Sequence, residues 1–121
     1  MKIAIDGPAG SGKSSLAKDL AKRLNILYVD TGAMYRAITL KLLEADESDF
    51  EIILKDTKIN FDGDKIFLDG EDVSKKIREN EISNKTSELS KKKIIRDYLV
   101  KMQREIAKDR DVVMEGRDIG S

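Results

Sequence analysis

The chain has 121 residues, 40% of them apolar and 38% charged, which suits one small globular domain and argues against disorder. Lys plus Arg and Asp plus Glu both number 23, so nothing in the balance suggests a nucleic-acid coat protein or a membrane-surface binder, and an anionic ligand must be held by local arrangement. With neither Cys nor His, disulfides, thiolate metal sites and imidazole catalysis are excluded.

The opening residues, Met1-Lys2-Ile3-Ala4-Ile5-Asp6, reach a charge too early for a signal peptide. No run approaches the roughly 18 apolar residues of a membrane span, so a cytoplasmic protein is expected. Ile3-Ala4-Ile5 is a short β-branched run closed by Asp6-Gly7-Pro8 and reads as a buried strand. From Lys13 onward, Leu16, Ala17, Leu20, Ala21 and Leu24 follow helical spacing and predict an amphipathic helix facing a core, ended by Asn25. Ile26-Leu27-Tyr28-Val29 predicts a second buried strand, and strand, glycine loop, helix and strand together predict a right-handed βαβ unit in a parallel sheet.

Asp30-Thr31-Gly32 leads into a helix carrying Met34, Tyr35, Ala37, Ile38, Leu42 and Leu43, which fades in the acidic stretch 44–49. A shorter helical pattern follows around 50–54. Over 57–73 the pattern alternates, with Asp62-Gly63 between Ile59/Phe61 and Ile66-Phe67-Leu68, predicting an antiparallel hairpin inserted as an accessory subdomain. Such inserts often add specificity. Residues 83–89 form a helical candidate, and Ile94, Ile95, Tyr98, Leu99, Met102 and Ile106 mark a stronger helix whose other face is basic. Val112-Val113-Met114 reads as a third strand, with Glu115-Gly116-Arg117-Asp118 just beyond it. The sequence stops at Ser121, one loop later, without the further strands of a doubly wound sheet, so a truncated domain is expected.

Gly7-Pro8-Ala9-Gly10-Ser11-Gly12-Lys13-Ser14 matches the P-loop pattern in full, after a predicted strand and at the start of a predicted helix. Its glycines let backbone N–H groups turn toward phosphate oxygens, and the helix amino terminus adds partial positive charge. Lys13 would bridge the outer phosphates, Ser14 would offer its hydroxyl to Mg²⁺, and the loop through Ser15 would bind the nucleotide. Glu115 reads either as a second acidic partner of the metal, direct or through water, or as a solvated acidic residue in a loop. Arg117 and Asp118 are equally open between a site and a charged loop, and Arg36 between a site and a surface charge.

Together these segments resemble cytidylate kinases. The resemblance rests on Ile5-Asp6-Gly7-Pro8 leading into the P-loop, Asp30-Thr31-Gly32-Ala33-Met34-Tyr35-Arg36, Gly70-Glu71-Asp72-Val73-Ser74 and Glu115-Gly116-Arg117-Asp118-Ile119-Gly120, in order and at matching spacing. It implies an α/β P-loop NTPase fold: a single kinase domain over 1–121, truncated and with an incomplete sheet, a parallel sheet with flanking helices, and the hairpin near 57–73 inside the nucleoside monophosphate-binding insert. It also implies transfer of the γ-phosphoryl group of ATP to CMP or dCMP with Mg²⁺, in a protein that is monomeric when complete. By the same resemblance Arg36 and Arg117 bind the acceptor phosphate, Ser87, Arg96 and Asp118 read the cytosine edge, and Thr31 and Tyr35 line the acceptor pocket. Glu115 departs from the aspartate of many members by one methylene.

Phosphoryl transfer needs no His or Cys, only donor and acceptor held in line amid cationic groups such as Lys13, Arg36 and Arg117. The chain alone is expected to bind better than it catalyses. Two alternatives stay open on the residues: a P-loop kinase for another small acceptor, such as adenylate or shikimate, and a nucleotide-binding module that transfers no phosphate.

Overall fold

The computed structural model describes residues 1–6, 12–45 and 49–116, with Lys13 and Ser14 described by backbone alone. The molecule is α/β, with a parallel sheet flanked by helices and a separate antiparallel sheet. The parallel sheet comprises β1 (Lys2–Asp6), β2 (Leu27–Asp30) and the late strand β6 (Val112–Gly116). β6 lies between the other two and runs parallel to both. The sequence predicts all three strands and their direction, but periodicity alone does not say that the third inserts between the first two.

Helix α1 (Lys13–Leu24) packs Ala17 and Ala21 with Tyr28 and Val113 on one face of this sheet, where Ile3 and Ile5 also lie. Asn25 ends it in a left-handed conformation, φ 55°, and returns its N–H to the carbonyls of Ala21 and Lys22. Leu16 and Leu24, expected on the core face, are both exposed, Leu16 by 59%. Leu16 is turned about 100° from Ala17 around the helix, outside the alanine ridge that seats on the strands, and Leu24 is the last residue before the cap.

The opposite face, with Leu27, Val29 and Met114, meets the larger core. Helix α2 (Thr31–Glu44) runs through it and buries Ala33, Met34, Ala37, Ile38 and Leu40. Residues around so much of its circumference are covered because α2 lies between the parallel sheet and the second layer. Its start is fixed by Asp30, whose Oδ1 accepts the Ala33 N–H at 3.0 Å.

A short helix α3 (Phe50–Lys55), capped by Asp49, precedes the antiparallel sheet of β3 (Ile59–Asp62) and β4 (Lys65–Leu68). A third strand, β5 (Glu71–Asp72), pairs with β4 and was not anticipated from the sequence. The turn into it, Asp69-Gly70, has φ 51° and 86°, the two left-handed residues that a tight hairpin turn needs. A 3-10 turn (Lys76–Arg78), α4 (Asn80–Leu89) and α5 (Lys93–Ala107) complete the layer. Its core joins Ile59, Ile66, Leu68, Ile82 and Leu99 to α2 in one cluster. Among the described residues no helix is long and apolar enough to cross a membrane.

Candidate functional site

Register brings the motif-bearing segments to one edge. Asp6 pairs with Gly116, and Glu115 lies between Ile5 and Asp30, so β1, β2 and β6 finish side by side. Whatever follows each strand leaves from the same carboxyl edge, where ligands bind in open parallel sheets. Gly7, Pro8, Ala9, Gly10, Ser11, Arg117 and Asp118 fall outside the described residues, as do the side chains of Lys13 and Ser14. Gly12 is described: it caps α1 at φ 82°, and a Cβ added there would meet nothing within 4 Å. No acidic residue stands in the first turn of α1, and Ser15 is exposed. That helix start is therefore free of the negative charge that would repel phosphate.

Glu115 is neither in a loop nor solvated. It is the fourth residue of β6 and only 3% exposed. The Tyr28 hydroxyl donates to its Oε1 at 2.5 Å, and the Thr31 hydroxyl donates to its backbone carbonyl at 2.9 Å. Tyr28 reaches Glu115 because both project from the α1 face of adjacent strands, two residues apart in register. Burial pushes the Tyr28 phenol well above its usual pKa, and the bond to Glu115 pushes it further, so the phenol stays neutral and donating.

Beside this pair an open recess runs from the carboxyl end of β2 to the antiparallel sheet. Its lining includes Asp30, Arg36, Phe61, Asp64 and Arg78. Asp30 has two tasks there, capping α2 through Oδ1 and facing Arg36 Nη2 through Oδ2 at 3.9 Å, too far for a tight ion pair. Gly32 keeps this corner open: a Cβ on it would sit 3.3 Å from Asp30 Oδ1 and 3.4 Å from Arg36 Nη1. The Lys18 ammonium stands 5.9 Å from the centre of the Tyr28 ring, at the outer limit of a cation–π contact.

Of the remaining sequence-predicted residues, Thr31 is buried on the Glu115 carbonyl and so is committed to joining α2 to β6. Tyr35 is half-buried; burial raises its pKa, and the nearby charge of Arg96 pulls it back down. Arg96 is exposed on α5, and Ser87 is exposed on α4 with its hydroxyl on the Ser83 carbonyl at 3.3 Å. Neither lines the recess that holds Arg36. Tyr28, Asp30, Lys18 and Arg78 were not singled out from the sequence. Asp30 had a local signal, a cap-type residue immediately before an apolar helix. Arg78 and Tyr28 had none, since their neighbours in space are remote in the chain.

The model for the family described as cytidylate kinase matches residues 3–121 of this chain. A curated cytidylate kinase of Caldanaerobacter subterraneus subsp. tengcongensis is 54% identical over 126 residues, which cover 100% of this chain and 56% of that protein. Those of Chloroherpeton thalassium and Fusobacterium nucleatum subsp. nucleatum are 51% and 50% identical, each covering 98% of this chain and 54% and 57% of their own lengths. The chain thus spans about half the length of the curated relatives it matches.

Proposed function

The chain belongs to the cytidylate kinase family, and from that premise we propose that the protein it represents transfers the γ-phosphoryl group of ATP to CMP and dCMP. The observation that carries this reading is the strand register. It sets the end of β1, where the P-loop begins, and the end of β2, where α2 opens toward Arg36, at the same carboxyl edge on either side of β6. A phosphate-binding loop and a second cationic recess on one edge suit a donor and an acceptor, whereas a nucleotide switch has no need of the second.

The residues fit their ligands chemically. Gly12, left-handed and open at its Cβ position, heads a helix whose first turn is free of acid, and backbone N–H groups there suit the phosphates of ATP. Lys13 would hold the outer phosphates, with the loop from Gly7 through Ser15 around them. Ser14 and Glu115 offer hard oxygen donors that suit Mg²⁺, which would neutralise phosphate charge when bound. Within the chain, Tyr28 fixes the Glu115 carboxylate in place before any ligand arrives. Arg36, held loosely by Asp30, can turn its fork toward the acceptor phosphate, and Arg117 is assigned the same partner. Ser87, Arg96 and Asp118 are assigned to the cytosine edge, Thr31 and Tyr35 to the wall of the acceptor pocket. The antiparallel sheet with its flanking helices then forms the monophosphate-binding insert.

The test is ADP release from ATP and Mg²⁺ with CMP, dCMP, UMP or AMP as acceptor, on the whole protein and on its Lys13→Ala variant. Turnover with CMP and dCMP, reduced at least about 100-fold by Lys13→Ala, is the expected result. ATP binding without transfer to any acceptor would leave only a nucleotide-binding module.

A further inference from the structure

Three cations line the recess: Lys18 stands over the Tyr28 ring, Arg36 faces Asp30, and Arg78 has neither kind of partner among the described residues. Arg78 ends the 3-10 turn, a segment fixed from beneath by Ile77, only 2% exposed, whose N–H donates to the Val73 carbonyl at 3.1 Å. The Arg78 N–H donates to the Lys75 carbonyl at 3.1 Å, and Ser74, just before the turn, accepts the Ile66 N–H on its hydroxyl at 3.0 Å. The backbone is therefore tied to the second sheet just ahead of the arginine, through Ser74, and held within the turn at Arg78 itself. Its guanidinium is not tied: among the described residues no carboxylate lies within 4.0 Å of it.

Arg36 lines the same recess from α2. The two carboxylates there do not absorb its three cations, because Asp30 already caps α2 and faces Arg36, Asp64 ion-pairs with neither arginine among the described residues, and Lys18 stands over the Tyr28 ring. Two arginines lining one recess place like charge there, and that cost is recovered when an anion with several acceptor oxygens sits between them. A neutral base or ribose gives no such recovery. We propose that Arg78 is a phosphate-binding residue of the acceptor site, gripping the monophosphate from the insert while Arg36 grips it from α2. This inference rests on the kinase reading above, and it gives the insert a hold on the charged end of the acceptor in addition to its assigned contacts with the base.

Binding of CMP and of cytidine to the protein, measured by calorimetry or competition, separates the phosphate from the rest of the ligand. Arg78→Ala should weaken CMP about 10- to 100-fold and leave cytidine unchanged within about two-fold. Arg78→Lys should recover part of the loss. Lys76→Ala, on the same turn but 3.8 Å from Glu71, should change neither affinity. CMP affinity unaltered by Arg78→Ala, or CMP and cytidine weakened equally, would overturn the assignment while leaving a CMP kinase intact. A wild-type protein that neither binds nor phosphorylates CMP would remove the kinase reading and this inference together.

Discussion

Glu115 shows how much a residue's setting depends on a distant partner. In the sequence it follows three apolar residues and reads as the first charge of a loop; in the fold it is a buried strand residue with the Tyr28 hydroxyl on Oε1. Its contact spans 87 residues, so no local pattern could reveal it. Tyr28→Phe would remove the phenol's hydrogen bond to that buried carboxylate and should cost about 1–3 kcal/mol in chemical denaturation; a loss below about 0.5 kcal/mol would mean that the bond is not a net contributor. Asp69 carries a pH signature instead. Partial burial acts to raise its pKa, but the hydrogen bonds from the Lys41 ammonium and the Lys58 N–H, with the charges of both lysines, win and hold it below the ordinary carboxylate value. A folded pKa below the unfolded one means stabilisation that is full above about pH 4 and is lost as pH falls through the folded value. Asp69→Asn should therefore flatten the stability–pH curve in that acid window and leave its shape unchanged near neutrality.

At the scale of elements, pattern and structure agree wherever the signal is local. Apolar spacing located α1, α2 and α5, the alternation around Asp62-Gly63 located the first hairpin, and Asn25 marked a helix end. β5 escaped because two exposed residues show no alternation, although Asp69-Gly70 is the dipeptide that a left-handed hairpin turn prefers. That turn makes a direct prediction. Nothing stands within 4 Å of a Cβ built on Gly70, so Gly70→Ala meets only backbone strain at φ 86° and should cost about 1 kcal/mol, with Asn better tolerated. Thermal melts of the two variants would check the order, and equal stability of both with wild type would mean that β5 frays in solution.

For the whole molecule, α2 is the member that both layers share. Ile38 is fully buried in the cluster that runs from Val29 of the parallel sheet to Ile66 and Leu68 of the other, so truncating it removes contacts on both sides. Ile38→Ala should cost about 2–5 kcal/mol. Leu16→Ala, on the exposed side of α1, should fall within about 0.5 kcal/mol of wild type. The reversed order in urea titrations would contradict this division of inside from outside. The α/β architecture and the segments meeting at the carboxyl edge were legible in the sequence because glycines, caps and apolar runs are local. The recess was not, because it is assembled from α2, the antiparallel hairpin and the 3-10 turn, and only packing brings these together.

The strand order also constrains how the protein is made. Lys2 of the first strand has Val112 as its partner, and β2 reaches β1 only through β6. As the chain emerges from the ribosome, the strand that carries the P-loop has no sheet neighbour until the last of the described strands is synthesised, and the insert, whose pairings are local, can form first. Nascent chains should therefore acquire the antiparallel layer early and their nucleotide-binding edge late, leaving β1 dependent on chaperones or on its own solubility in the interval.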